Sequence, residues 1–487
     1  MASQDAAATL SYAVRLPVVG KYLGQLALML AALSLPPLAV AVGYGEYGLA
    51  LHFVPVIAFL VAAGIPLARL PAPDRLQTNE ALVITALAFV LAPLLMAYPM
   101  MGAGLSFVDG WFEAVSGITT TGLTTLTQVA DKPRGFLFLR AWMQWYGGLG
   151  IVVLSVALLM EHRLATRRLL QATGTEETVA TTRSHARRVL TVYLLLTAGG
   201  ALALLATGLA PFAAVAQTLA AVSTGGFSTF NDSMAAMSTP TRGVLMALAL
   251  LGAVSLPLYY RSYHAWREPL RDLELRALVA GCLITGGLMT LLLHGQAGMP
   301  TDQALLHGFL LGTSAQSTTG FASLSVSHLP SGAKALLLLS MVVGGSVGST
   351  AGGIKLLRLL VFLRLVQHTL KRAAMPAHAV APPQLGGQKL DSDDINRVLL
   401  VIVLFGAVIA LSWLPFLMMG YAPIDALFEV VSATATVGLS AGILGPHLAA
   451  GLKGVLMADM LFGRLEIIAL LILLFPGTWH GRRTESP

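Results

Sequence analysis

Four short strings of threonine and glycine recur along the chain, each directly after an apolar stretch: Thr120-Thr121-Gly122-Leu123, Thr224-Gly225-Gly226-Phe227, Thr318-Thr319-Gly320-Phe321 and Thr436-Val437-Gly438-Leu439. Their closing glycines lie 104, 94 and 118 residues apart. A segment repeated at near-constant spacing is one structural unit used several times, and four units can close around a shared axis. A dehydrated cation needs oxygen ligands, which rings of backbone carbonyls supply. Glycine lets the backbone turn carbonyls inward where a Cβ would obstruct, and threonine adds a hydroxyl oxygen. The large Leu or Phe that follows is suited to pack away from the axis and anchor the loop. One Thr-x-Gly alone is equally the mark of a helix kink or a turn; the argument rests on four in one context.

A second glycine-rich run reads Gly344, Gly345, Ser346, Val347, Gly348, Ser349, Thr350, Ala351, Gly352, Gly353. It interrupts the apolar stretch 333–366. As one helix that stretch would be about 50 Å long at 1.5 Å per residue, against a hydrocarbon core of about 30 Å. So many glycines disfavour continuous helix, and non-helical backbone at membrane depth survives only when buried in protein or lining water. Two readings stand: a flexible loop beneath the four strings that blocks or opens a pathway, and a fixed kink. Gly348 and Gly353 have phosphate-loop spacing, but Ile354 stands where lysine is required and no strand–helix context exists, so nucleotide hydrolysis is rejected. Lys355 and Arg358 mark the cytoplasmic end of the break.

Arg464 lies inside the last apolar stretch, with Asp459 and Glu466 near in sequence. An ionisable residue there is a functional hypothesis by default; the alternative is an ion pair with a buried acid. Phe112, Glu113 and Ser116 match Phe428, Glu429 and Ser432 at one offset of 316, a sign of internal duplication. The two glutamates are placed to brace loop backbone rather than to ligate an ion. His307 and His328 are isolated, and no His/Asp/Glu set has metal-ligand spacing. Cys282 stands alone, so there is no disulfide framework.

The elements that must position these residues follow from composition. The 487 residues are 56% hydrophobic and 11% charged, with mean hydropathy +0.77; a soluble domain carries about 25% charged residues. Most of the surface must therefore face a lipid bilayer. The net charge of +7 does not point to nucleic acid, because the cations lie between apolar stretches. Spans of about 20 residues are expected at 23–42, 51–70, 79–98, 136–160, 189–209, 243–260, 277–294, 333–366 (interrupted), 398–418 and 452–475. Half-length segments precede each string, too short to cross and so re-entrant or buried. The fold class is all-α, with four pseudo-symmetric helix–pore loop–helix repeats around one central pore and two extra N-terminal transmembrane helices. The partition is 1–75 for the two N-terminal helices, 76–165 for repeat one, 186–262 for repeat two, 272–370 for repeat three with its broken second helix, 371–394 for a cytoplasmic linker and 395–480 for repeat four. Lys and Arg cluster in the connections between repeats and in the tail at Arg482 and Arg483, which places these sides and both termini in the cytoplasm. The string-bearing sides carry Asp109, Asp232, Asp302 and Asp425, expected to raise local cation concentration.

With these residues in hand, the chain resembles the Trk/Ktr/HKT superfamily of potassium transporters, most closely the Trk-type membrane subunit, over nearly its whole length. The resemblance is carried by all four strings, by Trp-Tyr-Gly-Gly-Leu-Gly-Ile at 145–151, by the run 344–355 and by Gly463-Arg464-Leu465-Glu466. It implies potassium uptake across the inner membrane through a filter made of the four strings, with K+ as the transported ion and no cofactor. A serine in place of the first-repeat glycine goes with sodium transport in the family, so Gly122 implies potassium preference. The first and fourth strings end in Leu rather than Phe, a departure that bears on fine selectivity. The resemblance also implies an intramembrane gate formed by the run at 344–353, Arg464 and Lys355 as charges that tune passage, a homodimer, and a cytoplasmic nucleotide-binding regulatory subunit of the TrkA type. The basic connections 161–188 and 368–397 are either its docking surfaces or only topology signals. A proton- or sodium-coupled symporter with alternating access is the competing reading. It is disfavoured because the sequence offers one broken helix rather than a matched pair. An intramembrane enzyme would need a nucleophile and base on facing spans, and no such pairing is found.

Overall fold

The computed structural model describes residues 13–71, 76–168, 176–265, 267–374, 376 and 382–480. Both termini, with Arg482 and Arg483, and part of the expected linker lie outside them. The described part of that linker carries a small antiparallel hairpin, Gln384–Leu385 against Gln388–Lys389. Everything else regular among the described residues is helical. Among the described residues, six helices are long and apolar enough to cross a membrane: Leu16–Gly43, Tyr47–Ala68, Thr78–Met101, Ala186–Ala206, Leu273–Gly295 and Ser392–Met418. They expose leucine and valine rather than bury them: Leu202 and Leu411 are each 68% exposed, and only 11% of the last helix's apolar window is covered. Such surfaces are stable only against lipid tails.

By contact the chain forms two units. The first comprises residues 1–115, 132–139 and 465–487. Its first and third spans are joined where Glu80, fully buried, accepts from Arg15 Nε at 2.6 Å and NH2 at 2.7 Å. Val14, Val19, Val83 and Ile84 pack there with Ile472, Leu473 and Trp479. The second unit comprises residues 116–131 and 140–464, and it contains all four strings.

Each string follows a half-length helix: Phe107–Ile118, Pro211–Val222, Thr301–Gln316 and Pro423–Thr434. At 12 to 16 residues these span about 18–24 Å, less than the membrane core. Their starts are well signalled. Proline opens the second and fourth, where its missing N–H costs nothing. Asp109, Asp302 and Asp425 sit in the first turns, favourable to the helix dipole.

The helix after the string is continuous in repeat one and interrupted in the other three repeats. The 333–366 stretch divides into Ser331–Val343 and Leu356–Ala373. The expected span 243–260 is instead Thr239–Ala253 and Leu256–His264, bent by 90°. Pro257 cannot continue the helical hydrogen bonding, and the amide of Leu256 goes to the carbonyl of Gly348 at 3.0 Å. The expected span 452–475 is Ala450–Arg464 followed by Ile468–Leu474, with Glu466 and Ile467 in left-handed conformation between them. The expectation of a single broken helix is therefore corrected.

Candidate ion pathway

The four strings share one backbone conformation. Thr120, Thr224, Thr318 and Thr436 have φ of 56°, 50°, 53° and 50°, and two residues later Gly122, Gly226, Gly320 and Gly438 have φ of 90°, 72°, 81° and 97°. Each half-length helix ends in a Schellman cap. The amide of Thr120 donates to the Gly117 carbonyl at 3.0 Å and that of Thr121 to Ser116 at 2.9 Å. The same pair recurs as Thr224 to Ala221 and Gly225 to Ala220, Thr318 to Ala315 and Thr319 to Ser314, and Thr436 to Ala433 and Val437 to Ser432, all at 2.8–3.1 Å. Glycine normally takes the left-handed position of this cap; a β-branched residue there is an outlier. Four such threonines in register are a shared departure from ordinary backbone geometry.

The glycines show how the strings meet. A Cβ on Gly122 would collide with the carbonyl oxygen of Gly225; on Gly226, with that of Thr319; on Gly320, with that of Val437; and on Gly438, with that of Thr121. Each glycine thus lies on the middle carbonyl of the next string, and the fourth returns to the first. All sixteen string residues lie in the second unit. Thr121, Thr318, Thr319, Val437 and Leu123 are fully buried.

Side chains hold this ring from behind. Gln144 donates to the Gly225 carbonyl at 2.5 Å and accepts from the amide of Phe227 at 3.2 Å. Thr119 and Thr121 share a hydroxyl hydrogen bond at 2.8 Å, as do Ser317 and Thr319. The amide of Gly438 donates to Ser432 Oγ at 3.0 Å. Glu429 accepts from Ser440 Oγ at 2.6 Å and from the amide of Ile443 at 3.3 Å, bracing the backbone beyond the fourth string. Arg140 lies over the Phe227 ring at 3.8 Å. Gln144 and Arg140 were missed from sequence, although a buried amide and a guanidinium in an apolar helix are the signal that such residues give. Of the acids on the string-bearing sides, Asp425 is paired with Lys334 at 2.7 Å.

The glycine-rich segment lies directly against the string threonines. Gly352 donates its amide to Thr318 Oγ1 at 2.7 Å, and the hydroxyls of Thr350 and Thr224 are 3.2 Å apart. The amide of Gly353 donates to the carbonyl of Ala435 at 3.1 Å, and those of Ser346 and Thr350 donate to Ala253 and Gly252. Gly344 and Gly348 turn the chain at φ of 73° and 76°. Gln316 donates to the Gly344 carbonyl at 2.8 Å, and Glu274 accepts from the amide of Val347 at 3.2 Å. Ser349 closes a turn onto the Ser346 carbonyl at 2.6 Å, and the amide of Leu356 returns to Gly345 at 2.9 Å. Lys355, at φ of 79°, donates to the Ala351 carbonyl at 2.6 Å. Arg464, only 3% exposed, donates to the carbonyls of Thr350 at 2.8 Å and Gly147 at 3.3 Å. The neighbouring Asp459 accepts from Ser412 instead, so the pairing of Arg464 with that acid is set aside.

The chain is similar to known cation transport proteins. The family model TrkH, described as a cation transport protein, matches residues 53–274 and 288–477. The Trk system potassium uptake protein TrkH of Escherichia coli K12 is 30% identical over 438 residues, covering 83% of this chain and 87% of that protein. Its namesake from Vibrio parahaemolyticus is 30% identical over 491 residues, covering 94% and 98%. The crystal structure of the potassium transporter TrkH from Vibrio parahaemolyticus superposes with a TM-score of 0.84 at 27% identity, covering 95% of this chain and 99% of that one. With apolar helices of membrane-spanning length, four matched strings and these relatives, the chain is a multi-pass membrane protein that belongs to the TrkH family of cation transport proteins.

Proposed function

We propose that this protein conducts potassium inward across the cytoplasmic membrane, through a filter formed by the four strings. The observation that carries the reading is the closed cycle in which each string glycine rests on the next string's carbonyl. Such a ring supports oxygens converging on one ion, and the C-terminal ends of the half-length helices add their partial negative charge. The repeats at 76–165, 186–262, 272–370 and 395–480 are the units that deliver the strings, with 1–75 outside them and 371–394 as a linker. Potassium moves with the membrane potential, worth about 2.3 kcal/mol per charge per 100 mV. The segment 344–353 is the gate: its contacts to Thr224 and Thr318 support an occluding position beneath the filter. Arg464 and Lys355, each bonded to a carbonyl of that segment, tune its hold. Both termini are cytoplasmic, and the protein works as a homodimer under a cytoplasmic nucleotide-binding subunit. The chemistry needs no enzymatic step.

Rubidium uptake into vesicles reconstituted with the purified protein, with and without imposed voltage, tests this reading. Voltage-driven uptake is expected; none at any voltage contradicts it. A second reading, proton- or sodium-coupled symport, draws on the interruptions in three second helices, since broken helices are where coupled carriers bind their ions. Uptake that follows a proton or sodium gradient at fixed voltage would select it.

A further inference from the structure

The half-length helices brace the chain just beyond the second, third and fourth strings, and the third does so differently. Gln217 and Glu429, like Glu113 in repeat one, stand seven residues before the threonine that opens their string, and each is fully buried. Gln217 donates to Ser228 Oγ at 2.9 Å, and Glu429 accepts from Ser440 Oγ at 2.6 Å; each serine lies four residues after its opening threonine. Repeat three has Leu311 and Ala322 at these two places, so the pair cannot form there. His307 stands one helical turn before Leu311, on the same helix face. Its Nδ1 shares a hydrogen bond at 3.0 Å with Ser323 Oγ, one residue past Ala322. The brace is thus kept, shifted by a turn and built on a side chain that can change charge near neutral pH. His307 is half-buried, where Gln217 and Glu429 are sealed.

We propose that His307 is the positioning residue for the outer exit of the third string, and that a proton on it sets a positive charge there that slows cation entry. The inference rests on the pore reading above and on its orientation. Burial, and then the Arg242 guanidinium, hold the imidazole below its ordinary pKa of about 6.5. The ring is therefore neutral at about pH 7.5 and gains its charge only on acidification. A protonated ring can still donate to Ser323, so the brace survives and the charge is what acts. Elements packed against this helix bring Arg242, Lys334 and His294, the loop bonded to Ala322 brings Asp232, and its own first turn brings Asp302. Arg242 is held by the carbonyls of Met237 and Ala235, and Lys334 by Asp425. Cations gathered at a mouth respond to a single added charge.

Rubidium uptake into vesicles at fixed voltage, with only the external pH lowered from about 7.5 to about 5.5, tests this. Uptake by the unmodified protein is expected to fall about threefold; a rise or no change overturns the proposal, and this measurement needs no variant to fold. His307→Leu, which copies Leu311, is expected to lower the rubidium-to-sodium permeability ratio about threefold at neutral pH and to abolish the acid response. His307→Gln, the side chain that repeat two sets against its own serine, should recover most of the ratio and still lack the acid response. An acid response that persists in His307→Gln assigns the charge to another group and overturns the proposal. A ratio in His307→Leu equal to that of the unmodified protein overturns the positioning role. Absence of rubidium uptake at every voltage in the unmodified protein would instead contradict the pore reading itself.

Discussion

The string ring and the glycine-rich segment are both rich in glycine and both buried, yet they are held by different kinds of bond. In the ring, each string is fixed by a Schellman cap belonging to its own half-length helix, and each glycine is required because a neighbouring carbonyl occupies the space of a Cβ. Moving one string means unwinding a helix end and displacing two neighbours. The segment is held mostly by bonds to other elements: the carbonyls of Gly252, Ala253 and Ala435, and the side chains of Gln316, Glu274 and Thr318. These can break while every helix stays intact, which is what a low-stability local opening requires. Glycine serves close approach in both regions, and in the second a Cβ on Gly344 would meet the Gly352 carbonyl and one on Gly352 the Ala435 carbonyl; what differs is the bonding around them.

The contrast is broken hardest at the ring. Gly226→Val is expected to reduce rubidium uptake at least about a hundredfold, since a β-branched residue meets both a forbidden φ and a carbonyl; near-normal uptake would show that the glycine–carbonyl cycle is dispensable. Gly122→Ser places a smaller side chain against Gly225, and the potassium-to-sodium permeability ratio, read from reversal potentials, should fall about tenfold, or about 1.4 kcal/mol. An unchanged ratio would remove Gly122 from the filter. Deletion within 345–352 should do the reverse of the ring mutations and raise single-channel open probability severalfold; an unaltered conduction level leaves the fixed-kink reading in place. Smallest is Gln144→Ala, which leaves a carbonyl and an amide behind the second string without partners, at a cost of about 1–3 kcal/mol in stability. It should lower the midpoint of thermal unfolding while only slightly reducing the permeability ratio, which separates a brace from a ligand.

The strings were legible in the sequence because close approach tolerates one residue type, so glycine recurs where the geometry recurs. Half-length helices were legible from length alone, with Pro211 and Pro423 marking their starts. The Schellman caps were not, because threonine occupies the position where glycine would have announced them. The break after Ala253 was hidden because a proline inside an apolar stretch is tolerated in membrane helices when another group takes the freed partner, and that group, the Gly348 carbonyl, is distant in sequence. The break at 465–467 carries no glycine or proline at all, only Glu466 and Ile467 forced left-handed. Gln144 stood one residue before the string at 145–151 and was passed over, because its bonds to Gly225 and Phe227 become visible only once the second string is placed.

The cycle of glycines has a consequence for how the chain matures. Its last link joins Gly438 to Thr121, residues 317 positions apart, so two of the four contacts can form while the other two still await the final quarter of the polypeptide. Until that quarter is inserted, Gly438 has not reached Thr121 and the Val437 carbonyl has not reached Gly320. A chain cut short by premature termination after the third string would therefore be a leaky or degraded product rather than a weaker version of the whole, and biogenesis quality control acting on late insertion would decide how much working protein a cell obtains.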